Sequence, residues 1–210
     1  MEKLPDEMRT ISSESESRLK EKGSFFIAIS KPVENEEEVQ TFLYSIRKKY
    51  YDATHHCYSY RFVNGSFKYS DDGEPGGTAG KRIFNAQNHF GLTNLTTVVV
   101  RFFGGVKLGV GPLGKAYYDS AFESLNSAKI EEKMLYSRLE IRYIFDNSSL
   151  VHHLISKYKL KIEESRFEPE PVISALILDP QASRFEEEIR SVSNNKIRIK
   201  KSDELLYLKK

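Results

Sequence analysis

From Thr96 to Tyr117 the chain reads Thr-Thr-Val-Val-Val-Arg-Phe-Phe-Gly-Gly-Val-Lys-Leu-Gly-Val-Gly-Pro-Leu-Gly-Lys-Ala-Tyr. The β-branched and aromatic residues of Thr96–Phe103 predict a strand, expected at the centre of its sheet. A glycine loop over 104–111 ends it. Pro112 suits a first helical position, because its missing N–H is one that no helix start can pair. A helix through Ala116, Tyr117, Ser120, Ala121 and Leu125 follows.

Working outward, ten of the twelve glycines lie between Gly73 and Gly114, and none follows Glu131. Charge is segregated as well. From Pro75 to Tyr118 there is no Asp or Glu, while Lys81, Arg82, Arg101, Lys107 and Lys115 are basic, and Asp71, Asp72 and Glu74 stand just ahead. Upstream, Ser24–Ser30 predicts a buried strand stopped by Pro32. Asn35 caps a helix carrying Val39, Phe42, Leu43, Ile46 and Tyr50 at helical spacing. His55–Val63 and Phe67–Ser70 are strands joined by the hairpin signal Asn64-Gly65. A short helix is expected around Arg82–Phe90. Residues 1–22, rich in Ser, Glu and Lys, are expected to form an arm or frayed helix.

Downstream of Glu131 the order is strand, helix, strand, strand, helix, strand. Leu135, Leu139, Ile141, Tyr143 and Phe145 define one strand face against Arg138, Glu140 and Arg142 on the other. Leu150, Val151, Leu154, Ile155 and Tyr158 form one helical stripe, and Ala182, Phe185, Ile189 and Val192 a second. Lys159–Phe167, Val172–Leu178 and Lys196–Leu208 complete the ferredoxin-like βαββαβ pattern. The predicted organisation is an arm over 1–22, a first domain over 23–130 and a second over 131–210.

The whole chain has 210 residues, with 32 basic against 30 acidic side chains and a formal net charge of +2. That balance excludes nucleic-acid binding through bulk positive charge and leaves only local patches. Cys57 is the single cysteine, so no internal disulfide forms. No apolar run approaches the roughly 20 residues of a membrane span, and no secretory leader is evident, so a cytoplasmic protein is expected.

Gly109, Gly111 and Gly114 fit a dinucleotide fingerprint, and Gly109 to Lys115 fits a P-loop, but neither survives. The fingerprint needs its glycines directly after the strand, and the P-loop needs Ser or Thr where Ala116 stands. A weaker reading remains, in which a glycine-rich helix start near Lys107 and Lys115 holds an anion. Equally, the glycines serve tight turns and close packing. Asp71, Asp72 and Glu74 allow acid–base or metal chemistry. The favoured reading is internal: the acidic loop docks on Arg101, Lys107 or Lys115. His55 and Cys57 share a strand face opposite His56, and Cys57 reads as a buried small hydrophobe. His152 and His153 fall on the polar side of their helix. Lys196, Arg198 and Lys200 make one face of the last strand basic, a face that could follow a phosphate backbone. No metal site and no cofactor are expected.

Asp52-Ala-Thr-His-His-Cys57, Ser70-Asp-Asp-Gly-Glu-Pro75, Gly77-Thr-Ala-Gly-Lys81 and Val100-Arg-Phe-Phe-Gly-Gly105, with Lys107-Leu-Gly109 and Lys115-Ala-Tyr117, resemble the IMPACT family over about residues 22–125. The resemblance implies an α+β protein of two domains. The first is a two-layer α/β domain like one of a ribosomal small-subunit protein and like domain IV of elongation factor G; the second is ferredoxin-like. Eukaryotic relatives carry a further N-terminal domain tied to a translation-controlling kinase. No room for that domain is expected here, so the kinase link is not carried over. The chain departs from the family at Arg82 (usually Pro), Pro112 (usually Gly), Gly114 (usually a bulky aliphatic) and Gly23-Ser24 (usually Ser-Arg).

The leading expectation is a non-enzymatic, translation-linked binding protein contacting RNA, the ribosome or a translation factor. Its binding residues would be Asp71, Asp72, Glu74, Gly76, Gly77, Thr78, Arg101, Gly104, Gly105, Lys107 and Lys115, with Lys196, Arg198 and Lys200 as further nucleic-acid contacts. The rival is an enzyme or small-ligand protein holding a phosphorylated ligand at the glycine loops. A third option is an adaptor that works through the 1–22 arm.

Overall fold

The computed structural model describes residues 3–167 and 169–210. The protein is α+β and divides into two compact units, one built on Met8–Glu132, the other on Lys133–Lys210 with Pro5–Glu7.

In the first unit, β1 (Glu7–Ile11), β2 (Ser15–Glu21) and β3 (Ser24–Pro32) precede α1 (Glu36–Lys49). The hairpin of β4 (His55–Arg61) and β5 (Phe67–Ser70) follows, then α2 (Gly80–Phe90), β6 (Leu95–Phe102) and α3 (Val110–Asn126). The sheet runs β2-β3-β6-β4-β5, antiparallel at every step. β6 is therefore central, as its composition predicts, and every residue from Leu95 to Arg101 is buried.

Alternation explains the layering. Val98 and Val100 face one way, into a core with Val39, Phe42, Leu43 and Ile46 of α1. Val99, between them, faces the other way, into a core with Ile83 of α2 and Leu113 and Tyr117 of α3. Helices thus cover both faces, and the expected two layers are three. The α1 start is closed reciprocally: Asn35 Oδ1 accepts from Glu38 N at 2.9 Å, and Glu38 Oε2 accepts from Glu34 N at 2.9 Å.

The arm expected over 1–22 is largely strand. Met8, Thr10 and Ile11 of β1 are buried, and β2 pairs with β3 over its whole length. β2 has little apolar alternation because, of its inward residues, Leu19 packs on the core while Ser15 and Ser17 make hydroxyl contacts. Ser17 Oγ donates to the Ser120 carbonyl at 2.7 Å, and Ser15 Oγ lies 3.3 Å from Ser124 Oγ on α3. The first unit thus includes Met8–Lys22, residues expected in the arm.

The second unit comprises β7 (Ile130–Arg142), α4 (Ser148–Lys157), β8 (Lys161–Arg166), β9 (Val172–Leu178), α5 (Asp179–Val192) and β10 (Arg198–Lys209). β7 itself starts at Ile130, so it spans the boundary between units. The order β10-β7-β9-β8 is that of a ferredoxin-like sheet. Leu139, Ile141 and Tyr143 pack with both helices, as the alternation predicts. Phe145 and Val192 do not join them. Phe145 leaves the strand in a short 3-10 turn, Val192 ends its helix, and both are exposed. No helix among the described residues is long and apolar enough to cross a membrane.

Candidate functional site

The acidic loop 71–74 does dock inward, and each carboxylate takes a separate task. Asp71 accepts from the backbone N–H of Gly77, Ala79 and Gly80 at 2.8–2.9 Å. Those amides open α2, so the carboxylate sits at the positive end of that helix. Asp72 Oδ2 accepts from His56 N at 2.6 Å. Glu74 Oε1 accepts from Arg101 Nη1 at 2.6 Å and from the Tyr117 hydroxyl at 2.7 Å. The Glu74 and Arg101 side chains are only 4% and 6% exposed. Internal pairing is thus found for Arg101, but not for the two lysines.

Gly77 lies at φ +76, a left-handed turn position, and Gly76 lies in open space beside it. The Thr78 hydroxyl donates to the Pro75 carbonyl at 2.5 Å. Gly104 crosses Gly23 backbone on backbone, and Gly105 takes φ +82. Ser24 Oγ accepts from Arg101 Nη2 and from Gly104 N, each at 3.3 Å, so Ser24 joins the cluster where the family pattern has Arg.

Around this cluster lies a cleft of about 390 Å3. Thr54, His55, Glu74 and Arg101 contribute its polar lining; Phe103, Leu108, Val110 and Leu113 are among the apolar residues, with Lys107 alongside. The Arg101 guanidinium is sandwiched between the Phe26 and Phe103 rings, at 5.5 and 5.6 Å. Its Nη groups are bonded, but Nε is buried without a partner. His55 Nδ1 lies 2.7 Å from the Asp72 carbonyl; a carbonyl only accepts, so Nδ1 carries the proton.

Lys115 is not part of the cleft; it pairs with Asp119 one helical turn on. The three cations expected to meet phosphate together therefore differ in state: Arg101 lines the cleft but is buried on Glu74, Lys115 is paired outside it, and Lys107 lines the cleft without an ion pair among the described residues. Lys196, Arg198 and Lys200 fare similarly. Lys196 precedes β10, Arg198 opposes Arg142, and Lys200 opposes Glu140. Glu140, Glu163 and Glu204 pair with the arginines of that sheet. Charges of both signs interleave there, which removes the expected basic face.

Cys57 is buried, donating to the Asp71 carbonyl at 3.0 Å, and burial pushes its thiol pKa up, so it is no thiolate nucleophile. Among the described residues no three His, Cys, Asp or Glu side chains converge on a metal position. Burial lowers the His56 pKa, against a hydrogen bond to the Tyr50 carbonyl and the nearby Asp72 that raise it; Arg47 and His55 lower it further. A folded-state pKa below the unfolded value means that the unfolded chain binds the proton more readily. Stability from His56 is present above about pH 6.5 and declines as pH falls toward the folded pKa. Thermal unfolding followed from pH 7 to 5 should show this decline, and His56→Gln should flatten it.

A second surface has no counterpart in the sequence reading. Phe67 and Tyr69, on the edge strand β5, are 53% and 40% exposed. Phe84 of α2 packs with both, its ring centroid 4.6 Å from Phe67 and 6.2 Å from Tyr69. Arg61 lies 6.0 Å over the Phe84 ring and donates to Asn88 Oδ1. Lys81, one turn before Phe84 on the same helix, is exposed. The available signal was the alternation Phe67-Lys-Tyr69, which places both rings on one face of a strand with no outer neighbour.

Residues 22–125 match the family model described as the Impact N-terminal domain. The IMPACT family member YvyE of Bacillus subtilis (strain 168) is 30% identical over 192 residues, covering 90% of this chain and 88% of its own. The IMPACT family member in the pol 5' region of Thermus thermophilus is 38% identical over 157 residues, covering 75% and 85%. A solved structure of a hypothetical protein shares the fold, with a TM-score of 0.68 at 24% identity over 93% of this chain and 97% of its own. With two such relatives matched over most of their length, the chain belongs to the IMPACT family.

Proposed function

We propose that this protein is a translation-linked binding protein that contacts single-stranded RNA through the aromatic and basic face of β5 and α2. The observation that carries the reading is the set Phe67, Tyr69 and Phe84 with Arg61 beside it. α2 lies within a stretch, 75–118, that has no carboxylate. Exposed rings stack on bases of any sequence, contributing about 1–3 kcal/mol per base, while guanidinium and ammonium groups meet phosphates. Support for the translation link comes from the family's ribosomal-type first domain, which is an analogy of fold. Against acid–base catalysis stands the fate of the acidic loop, where all three carboxylates hold the fold together.

Fluorescence anisotropy with a labelled single-stranded RNA tests this. Phe67→Ala with Tyr69→Ala should weaken binding by about 10- to 100-fold while the fold is retained. Arg61→Gln should reduce the dependence on salt. Binding unchanged in the double alanine variant, or no RNA binding in the wild type at low salt, would remove the assignment.

A further inference from the structure

We infer that the cleft at the start of α3 is a binding site for a small organic anion, a phosphate or carboxylate head carrying a compact apolar body. Two independent observations point there. The first is the open start of α3. Gly109 precedes it at φ 83 with no side-chain cap, and its first turn holds no acidic residue. Its first amides, Val110 and Gly111, face outward along the axis as every helix start requires. The start of α2 differs, because the Asp71 carboxylate already fills it.

The second observation is Arg101. Its side chain is nine-tenths buried and lines the same cleft, and its Nε has no partner. A buried guanidinium nitrogen without an acceptor is costly to leave so. Glu74 accepts from Nη1 and Ser24 from Nη2, which leaves Nε as the one guanidinium nitrogen without an acceptor. Lys107 adds a free ammonium to the cleft, so the polar end favours negative charge.

The remaining walls set the rest of the ligand. Pro75, Phe103, Leu108, Val110 and Leu113 offer apolar surface, and about 390 Å3 holds a ring or short aliphatic group with its head. A bare inorganic ion leaves that surface wet. Phe103 is half exposed and covers the guanidinium, so its ring must shift for an anion to reach Nε.

The test uses the full chain, labelled with nitrogen-15, and follows the Val110 and Gly111 amides by NMR. Phenyl phosphate and phenylacetate are titrated separately, with inorganic phosphate and phenol as controls. Saturable shifts at both amides with either ring anion are expected, and the anion that gives them identifies the head group. Lys107→Gln should weaken binding by about tenfold. Val110→Asp should abolish it while the melting temperature holds or rises, because an acidic first-turn residue suits the helix dipole and occupies the anion position. No shift with either anion overturns the proposal. So does equal titration of wild type, Val110→Asp and Lys107→Gln, or inorganic phosphate binding as tightly as phenyl phosphate. RNA binding read at Phe67 and Tyr69 is a separate measurement, so the two proposals fail separately.

Discussion

Glu74→Gln is expected to cost about 3–5 kcal/mol of unfolding free energy, among the largest losses that one isosteric change can produce here. Glutamine keeps the shape and can still accept from Tyr117. It cannot compensate Arg101, whose charge is buried between two phenylalanine rings. The cost comes mainly from that stranded guanidinium, since a buried pair adds little net stability over an apolar replacement. Arg101→Met alone should also destabilise, leaving Glu74 buried and charged with the Tyr117 hydroxyl as its donor and His55 Nε2 3.8 Å away. The double variant should lose clearly less than the sum of the singles, and that coupling separates an ion pair from loose packing. Urea unfolding followed by circular dichroism suits a chain without tryptophan. A Glu74→Gln protein within 1 kcal/mol of wild type would show that the pair does not hold the cleft together.

Alanine at position 104 should be nearly as damaging, whereas alanine at position 114 should be tolerated. A Cβ on Gly104 would lie 1.9 Å from the Gly23 carbonyl carbon and 2.3 Å from Ser24 N. Both are backbone atoms, held by the pairing of β3 with β2 and β6. They cannot yield without pulling Ser24 from Arg101, so a loss of about 3 kcal/mol is expected. On α3, a Cβ at Gly114 meets Arg82 Nε at 3.1 Å, part of a flexible side chain that can swing outward. Helix propensity then favours alanine by up to about 1 kcal/mol, so Gly114→Ala should be neutral or stabilising. Position 114 also joins two departures from the family pattern: Arg82 lies in the space that a bulky aliphatic at 114 would take. Unfolding of the two alanine variants under one set of conditions checks the contrast, and equal losses would refute it.

Local pattern was enough wherever a segment answers to its own residues. Thr96–Phe103 reads as a central strand because its valines are apolar in both directions, and Asn35 announces a helix start. Asn64-Gly65 marks a hairpin turn, where Gly65 takes φ +87 and Asn64 Oδ1 accepts from Ser66 N. Six alternating elements after Glu131 define the ferredoxin-like unit for the same reason: a two-residue or 3.6-residue period needs no knowledge of the partner.

What only the tertiary structure decided are matters of partnership. β2 is a strand because its serines find hydroxyls and a carbonyl on α3, which a hydrophobic pattern cannot register. Arg101 and Lys115 look alike as basic residues in an acid-free stretch, yet one is buried on Glu74 and the other pairs with Asp119 at the surface. The interleaved charges of β7, β8 and β10 come from strands far apart in the chain. Charge and burial at a site depend on which residues meet across the fold, and sequence spacing carries that information only within one element.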